Sequence, residues 1–140
     1  MKILLAVDGS SYTQRMCTYL ASHPNLFGPG HSFTVLHCTP PMSSRAAGLA
    51  GPEFVRKYYD DEVAKVLAPI RALLAEAAID ATYAQEVGNP ADEIAAFAEA
   101  DNFDLLIMGS HGHGALMNLA LGSVSTQVLA RCSVPVLLVR

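Results

Sequence analysis

The stretch G-S-H-G-H-G-A-L-M-N-L-A-L-G-S-V-S, from Gly109 to Ser125, is the part of the sequence around which the rest is organised. It follows an apolar run, residues 104–108, that predicts a buried strand, and it leads into a helix predicted from Val124 to Arg131. A strand that ends in glycines and re-enters a helix at Gly-Ser predicts a phosphate cradle. Backbone N–H groups are accessible where no Cβ obstructs them, and the helix offers its positive N-terminal end.

Segments that alternate between strand and helix character flank this stretch. Apolar and β-branched runs predict strands over 2–7, 33–38, 80–87, 105–108 and 134–139. Helices are predicted from a cap at Ser10 or Ser11 to a stop before Pro24, from Pro52 onward, from Asn89-Pro90, and up to Arg131. Residues 25–30 are predicted to be a connection and residues 42–51 a mobile excursion, while Pro69 predicts a kink or break in the long helix.

The order of these segments predicts one α/β domain over residues 1–140. We expect a doubly wound, open, parallel five-stranded sheet of order 3-2-1-4-5, with helices on both faces. That order places strands one and four side by side, so that Asp8-Gly9-Ser10 and the Gly109 stretch share one edge of the sheet. Ligands of such folds bind in the crevice at this reversal of strand order.

Composition excludes several classes of protein. With 51% hydrophobic and 16% charged residues the chain is globular, and its net charge of −4 argues against non-specific nucleic-acid binding. Three cysteines, at 17, 38 and 132, lack metal-ligand spacing and are expected to be reduced thiols. The apolar start is cut at Asp8, too early for a signal peptide, and no run approaches the ~20 apolar residues of a membrane span. We expect a cytoplasmic location.

The glycine stretch lacks the better-known nucleotide and hydrolase motifs. It has no G-x-x-x-x-G-K-[ST], no G-x-S-x-G elbow, and Met117 stands where a dinucleotide fingerprint needs its third glycine. His111 and His113 have no third ligand residue nearby to make a metal site, so the metal ligands stay open. A Ser110-His111-Asp8 triad is disfavoured because adjacent residues rarely face each other, and no catalytic residue is predicted.

What remains is the spacing Gly-x2-Gly-x9-Gly-Ser, formed by Gly109, Gly112, Gly122 and Ser123. Together with L-L-A-V-D-G-S at 4–10, V-L-H-C at 35–38 and P-V-L-L-V at 135–139, it resembles the universal stress protein family over the whole chain. The spacing is that of the family's ATP-binding branch, G-x2-G-x9-G-[S/T]. Here residue 114 is glycine and 115–121 are largely apolar, so we expect a more mobile loop than one bearing Lys or Arg.

The resemblance implies an adenine nucleotide, ATP or else ADP or AMP, often accompanied by Mg or Mn. Asp8 and the main chain near Cys38 would border adenine and ribose, and Gly109 would face the ribose. Apolar walls and phosphate contacts complete the implied site, whose full residue set is Ala6, Val7, Asp8, Ser10, Cys38, Met108, Gly109, His111, Gly112, His113, Gly122, Ser123, Val124 and Ser125. Among these, Ala6, Val7 and Met108 would be the walls, and Gly112 with residues 123–125 would hold the phosphates, Ser123 and Ser125 also by hydroxyl.

Charge patterning bears on what such a site can do. From Ala72 to Ala130 there is no Lys or Arg, but there are eight Asp or Glu residues. Phosphates would therefore be held by backbone N–H groups, a helix N-terminus and a metal ion, without the cation that fast phosphoryl transfer uses. We expect a nucleotide-dependent regulatory or stress-response module with slow or negligible hydrolysis. The alternatives are a slow metal-dependent ATPase or nucleotidyl-transfer enzyme and a protein-interaction module with a vestigial site.

The last predicted strand, Val134–Val139, lies at an edge of the expected sheet and is nearly all apolar. An exposed apolar edge invites pairing with another chain. A two-fold homodimer that pairs this strand with its copy would cover it, and the family resemblance implies the same. Coverage by the chain's own helices is the alternative.

Overall fold

The computed structural model describes residues 1–114 and 120–140, so the predicted mobility of the loop lies largely outside the described residues. Five parallel strands form one sheet in the order β3-β2-β1-β4-β5, which confirms the predicted fold class and strand order. The strands are β1 Lys2–Val7, β2 Ser32–Thr39, β3 Ala81–Val87, β4 Leu105–Gly109 and β5 Val136–Val139.

Helices connect the strands, and side-chain caps fix the starts of some of them. They are α1 Ser11–Ser22, α2 Pro24–Phe27, α3 Ser44–Ala50, α4 Pro52–Glu76, α5 Pro90–Ala100 and α6 Ser123–Arg131. The Ser10 side chain caps α1, and the Asn89 side chain caps α5 by accepting from two backbone N–H groups, those of Ala91 and Asp92. A polar N-cap oxygen satisfies donors that the first turn cannot, which is why these segments begin where they do.

The structure corrects the prediction in the connections. Most of segment 42–51, predicted to be a mobile excursion, is the helix α3, because Ser43 caps it at the N–H of Ala46 and its Ala-rich sequence has high helix propensity. Residues 25–30 are not wholly connection, since the short helix α2 begins at Pro24. Strand β5 starts at Val136 because Pro135 has no N–H to donate to a ladder.

The predicted break in α4 is also absent. This helix runs through Pro69, whose own side is exposed to solvent. Leu67 and Ile70 are buried on either side of the proline, so packing of the flanking turns keeps the helix continuous despite the missing hydrogen bond.

Two apolar cores lie on opposite faces of the sheet, and β1 contributes to both. Ile3, Leu5 and Val7 pack into the core shared with α1 and α4, whereas Leu4 and Ala6 pack into the core shared with α5 and α6. Strand β1 lies between β2 and β4, with Ala6 in register with Met108, so the turns after β1 and β4 emerge side by side. Among the described residues no helix combines the length and apolar character needed to cross a membrane.

Candidate functional site

The turn after β1 holds the Asp8 carboxylate in a defined position. Its Oδ1 atom accepts a hydrogen bond from the Ser10 N–H at 2.9 Å and another from the Thr13 hydroxyl at 2.8 Å. The Asp8 N–H in turn donates to the Thr13 hydroxyl oxygen at 3.1 Å. Gly9 has φ +76°, a left-handed conformation that glycine adopts without strain, and this lets the chain turn from β1 into α1.

The glycine loop approaches this turn closely, which explains two of its glycines. A Cβ on Gly112 would lie 2.5 Å from Oδ2 of Asp8, and one on Gly109 would lie 2.7 Å from Cβ of Tyr12. The imidazole of His113 reaches the same turn, with Nε2 2.7 Å from the carbonyl oxygen of Asp8. Because a carbonyl only accepts hydrogen bonds, Nε2 carries the proton in this contact.

The two ends of the loop are joined where α6 begins. The Gly122 N–H donates to the Ser110 carbonyl at 2.8 Å, and the Ser125 hydroxyl lies 2.7 Å from the same oxygen. The first helical bond runs from the Thr126 N–H to the Gly122 carbonyl. Over the described residues the N–H groups of 123–125 therefore have no protein acceptor, as expected at a helix N-terminus, and they are available to an anion.

Serine hydroxyls at this end of α6 differ in what they can offer. Ser125 is 2% exposed and its hydroxyl faces two carbonyl oxygens, those of Ser110 and Gly122. Its backbone N–H is thus the group that remains for a phosphate. Ser123 is exposed, so its hydroxyl and its N–H both remain accessible.

The apolar residues predicted to line the site lie at the ends of the central strands. Ala6, Val7 and Met108 are buried, and Cys38 is buried at the carboxyl end of β2. Burial, with smaller contributions from Glu93 and then Glu86, raises the pKa of the Cys38 thiol to about 12. The thiol therefore stays neutral. The groups of Cys38 that are suited to bind a ligand are its main-chain N–H and C=O.

The structure thus brings most predicted site residues to one edge of the sheet. The turn after β1, the glycine loop and the start of α6 are linked by the contacts described above, and Cys38 stands at the end of the next strand, β2. Each predicted role toward a ligand remains a prediction.

Sequence reasoning missed three residues that shape this edge. Thr13 is 2% exposed and bound to Asp8, and its place three residues after the Ser10 cap, where capping-box side chains reach back, was an available signal. His37 is buried, and its Nδ1 lies 2.9 Å from the Val7 carbonyl oxygen. Ser110 is fully buried with its hydroxyl 3.0 Å from Nδ1 of His111, so the expectation that these adjacent residues do not face each other is wrong. A triad is still not formed by the described contacts, because Oδ1 of Asp8 is bound to Ser10 and Thr13 and the Ser110 hydroxyl is buried. His37 was named from the sequence only within the V-L-H-C segment and Ser110 only as a disfavoured triad member, and a role was predicted for neither.

The positively charged side chains near the loop, Arg15 and Arg140, lie outside segment 72–130. Arg140 donates to the Ala120 carbonyl at 3.1 Å, and the Arg15 guanidinium lies 5.0 Å from the centre of the Tyr12 ring. That ring is in turn 5.1 Å from the ring of His111. The described residues include no cluster of three or more His, Cys, Asp or Glu that could hold a metal ion. A divalent cation here would depend on oxygen ligands from a nucleotide, with Asp8 as the nearest carboxylate.

Comparison with known proteins supplies the wider context. The chain matches the family model described as "Universal stress protein family" over residues 1–140. It is 33% identical over 138 residues to a universal stress protein of Thermus aquaticus, covering 99% of this chain and 97% of the relative.

Two solved structures share the fold. A universal stress protein from Archaeoglobus fulgidus in complex with dAMP superposes with a TM-score of 0.70 at 21% identity, covering 100% of this chain and 98% of the other. A universal stress protein family member from Arabidopsis thaliana with AMP bound gives a TM-score of 0.70 at 16% identity, covering 99% and 90%.

Proposed function

Because the chain belongs to the universal stress protein family, we propose that it binds an adenine nucleotide in the crevice between the ends of β1 and β4. The nucleotide is ATP, ADP or AMP, and its binding regulates a stress response more than it feeds a reaction.

One observation carries this proposal. The free N–H groups at the start of α6 lie at the end of a glycine loop whose other part rests on Asp8. A helix N-terminus attracts phosphate through these donors and through its dipole, by about 0.3–1 kcal/mol per exposed charge and up to ~2 when partly buried. Asp8 offers an acceptor to hydroxyl or amine groups on the nucleoside, so the crevice has complementary partners for both halves of a nucleotide.

The identity of the base rests on the apolar walls and on the relatives. Ala6 and Met108 are adjacent across β1 and β4 and are buried, which suits the flat face of a purine. The Archaeoglobus and Arabidopsis proteins hold dAMP and AMP, which supports adenine over other bases for this chain. The proposed partner of the base edge is the main chain at Cys38, near the carboxyl end of β2.

We expect slow or negligible hydrolysis, with Mg or Mn bound through the phosphates. Fast phosphoryl transfer uses a Lys or Arg on the transferred group. Both arginines near the loop are already engaged, Arg140 with the Ala120 carbonyl and Arg15 over the Tyr12 ring. Product formation from Mg-ATP at rates of 1 per second or faster, typical of kinases, would contradict this part of the proposal.

The proposal includes a homodimer formed through the β5 edge. Among the residues that the structure describes, strand β5 pairs with β4 on one side only, and its four residues are all apolar. An unpaired apolar edge favours β-pairing with a second copy across a two-fold axis.

The decisive experiment starts with the nucleotide that copurifies with the protein. Purified protein is denatured and any released nucleotide identified by chromatography, and dialysed protein is titrated with Mg-ATP, ADP and AMP by calorimetry. Gly122→Val should abolish binding, because a Cβ there would lie 3.0 Å from Cα of His111 and distort the start of α6. Ser123→Ala, which removes one exposed hydroxyl, should weaken binding.

A matched control separates the site from general damage to the fold. Gly30→Val places the same side chain where a Cβ meets nothing within 4 Å, and it should bind as the wild type does. If Gly122→Val and Ser123→Ala retain nucleotide as well as Gly30→Val does, the site lies elsewhere. If the wild type neither copurifies with nor binds any adenine nucleotide, the proposed function is wrong.

A further inference from the structure

The hydroxyl group of Thr13 forms hydrogen bonds with both the backbone and the side chain of Asp8. This threonine lies in the first turn of α1, is 2% exposed, and belongs to no motif that the family resemblance carries. Its Oγ1 donates to Oδ1 of Asp8 at 2.8 Å and accepts from the Asp8 N–H at 3.1 Å. A hydroxyl that is both donor and acceptor can fix the backbone and the side chain of one residue together.

The consequence for the carboxylate is an asymmetry between its two oxygens. Oδ1 receives two hydrogen bonds, from Thr13 and from the Ser10 N–H. Oδ2 has no hydrogen-bond partner among the residues that the structure describes, and it faces Cα of Gly112 in the glycine loop. The carboxylate is therefore held with one oxygen used inside the turn and the other facing the glycine loop.

We propose that Thr13 is a positioning residue for nucleotide binding, which acts by holding Asp8 with Oδ2 presented to a donor group of the ligand. This inference rests on the proposed function and adds to it a residue that does not itself touch the nucleotide. Burial beneath the turn keeps the Thr13 hydroxyl away from the ligand, so its effect passes through Asp8. Without that hydroxyl the carboxylate keeps one hydrogen bond, from the Ser10 N–H, and is held less firmly about its Cα–Cβ and Cβ–Cγ bonds. Affinity falls because the acceptor must be ordered further on binding.

A role in starting α1 is the competing explanation, and the geometry separates the two. The cap of α1 is the Ser10 side chain, which accepts from the backbone N–H of Thr13 at 3.5 Å. Thr13→Val removes the hydroxyl but keeps this N–H and a side chain of nearly the same shape. The cap therefore survives the substitution, whereas both contacts with Asp8 are lost.

The test is a double-mutant cycle read by calorimetric titration of dialysed protein with Mg-ATP and AMP. We expect Thr13→Val to weaken binding about tenfold in the wild-type background, since a charge-assisted hydrogen bond is involved. In an Asp8→Ala background the same change should alter affinity less than about twofold, because the group through which it acts is gone. Thr13→Ser retains the hydroxyl and should bind within about twofold of the wild type.

The control for a general effect on the helix is Thr18→Val. This substitution is the same as Thr13→Val and is also on α1. The hydroxyl that it removes donates to the Gln14 carbonyl and not to Asp8. Urea unfolding of each variant shows that the folded state is populated, and Thr13→Cys, which replaces the hydroxyl by a weak thiol donor, replaces Thr13→Val if the latter does not fold.

Two outcomes overturn the inference. Wild-type affinity in folded Thr13→Val would show that Asp8 needs no support, and an equal loss in both backgrounds would show that Thr13 acts by another route. If the wild type itself binds no adenine nucleotide, the proposed function is wrong, and so is the role of Thr13.

Discussion

At the scale of single residues, the close contact between Gly112 and Asp8 gives a direct test of the proposed site. Gly112→Ala would place a methyl group 2.5 Å from Oδ2 of Asp8 and displace that carboxylate. We expect nucleotide affinity to fall roughly 10- to 100-fold, the effect of losing a hydrogen bond to a charged group. Gly114→Ala, two residues away and with nothing within 4 Å of its Cβ, is the matched control and should bind normally. Equal affinities of the two variants would refute a role for the Asp8–Gly112 contact.

Thr39 is a residue whose buried hydroxyl weakens the fold. Its Oγ1 has no hydrogen-bond partner among the described residues, although the side chain is only 5% exposed. Thr39→Val removes this unsatisfied group, and we expect the free energy of unfolding to rise by about 1 kcal/mol. Thr34→Val on the same strand breaks a 2.9 Å bond to Thr82 and should lower it instead. Urea denaturation of both variants measures the difference, and a loss of stability in Thr39→Val would contradict the prediction.

The cysteines predict which thiol reacts first. Burial raises the pKa of Cys17 to about 11, and burial with Glu93 and Glu86 raises that of Cys38 to about 12. A raised pKa means that almost no thiolate, the nucleophilic form, is present at pH 8. Only half-buried Cys132 should be alkylated by iodoacetamide in the native protein, with all three labelled in denaturant. Mass spectrometry measures the labelling. Rapid labelling of the native Cys132→Ser variant would contradict the prediction.

At the scale of elements, the strands and the helix starts could be predicted but the connections could not. Buried strands read as continuous apolar runs, and caps such as Asn89-Pro90 have local signals, so both followed from the sequence. Helix α3 was missed because glycine, alanine and serine suit loops as well as short helices. Its ends are set by Ser43 and by Gly51 at φ +82°.

The candidate site shows the same division. The glycine spacing and Asp8 were visible in the sequence, because close backbone approach requires glycine and a turn after a strand favours aspartate. Thr13 binds Asp8, five residues away, and Ser110 binds the adjacent His111, but side-chain contacts of this kind leave no periodic pattern in the sequence. His37 binds the Val7 carbonyl, 30 residues away, so this contact exists only after folding. Long-range contacts of this kind lie beyond periodicity and spacing.

Helix α4 supports a prediction about Pro69. The helix is continuous there, but proline has no N–H for the preceding turn and its ring crowds that turn. Pro69→Ala should therefore raise the free energy of unfolding by about 1–3 kcal/mol, measured by urea denaturation. Pro24→Ala, at the first position of α2 where proline is well tolerated, is the control and should change little. No gain in Pro69→Ala would mean that the helix has already adapted to the proline.

At the scale of the whole molecule, the free edge of β5 predicts how two copies meet. The carbonyl oxygens of Pro135 and Val139 accept hydrogen bonds from β4 and from Ser110. Because successive residues of a strand point their backbone groups to opposite sides, Leu138 directs its N–H to the free edge. Leu138→Pro removes that donor without breaking the β4 ladder, and we expect it to convert the proposed dimer to monomers.

Analytical ultracentrifugation at micromolar concentration measures this change. Leu138→Val keeps the N–H and should remain dimeric. A monomeric wild type would remove the β5 dimer from the proposal, and a dimeric Leu138→Pro would place the interface on another surface.

The central position of β1 has a consequence for how the protein is made. The strand is synthesised before the other four, but β4, its neighbour on one side, begins at Leu105, about 100 residues later. At roughly 5–20 residues per second, ribosomes take about 5–20 s to cover that distance. During this interval β1 can pair with β2, but this strongly apolar strand has no partner on its other side. We therefore expect the nascent chain to be most exposed to misassociation before β4 emerges, and the native sheet to be completed only once β4 and β5 have been made.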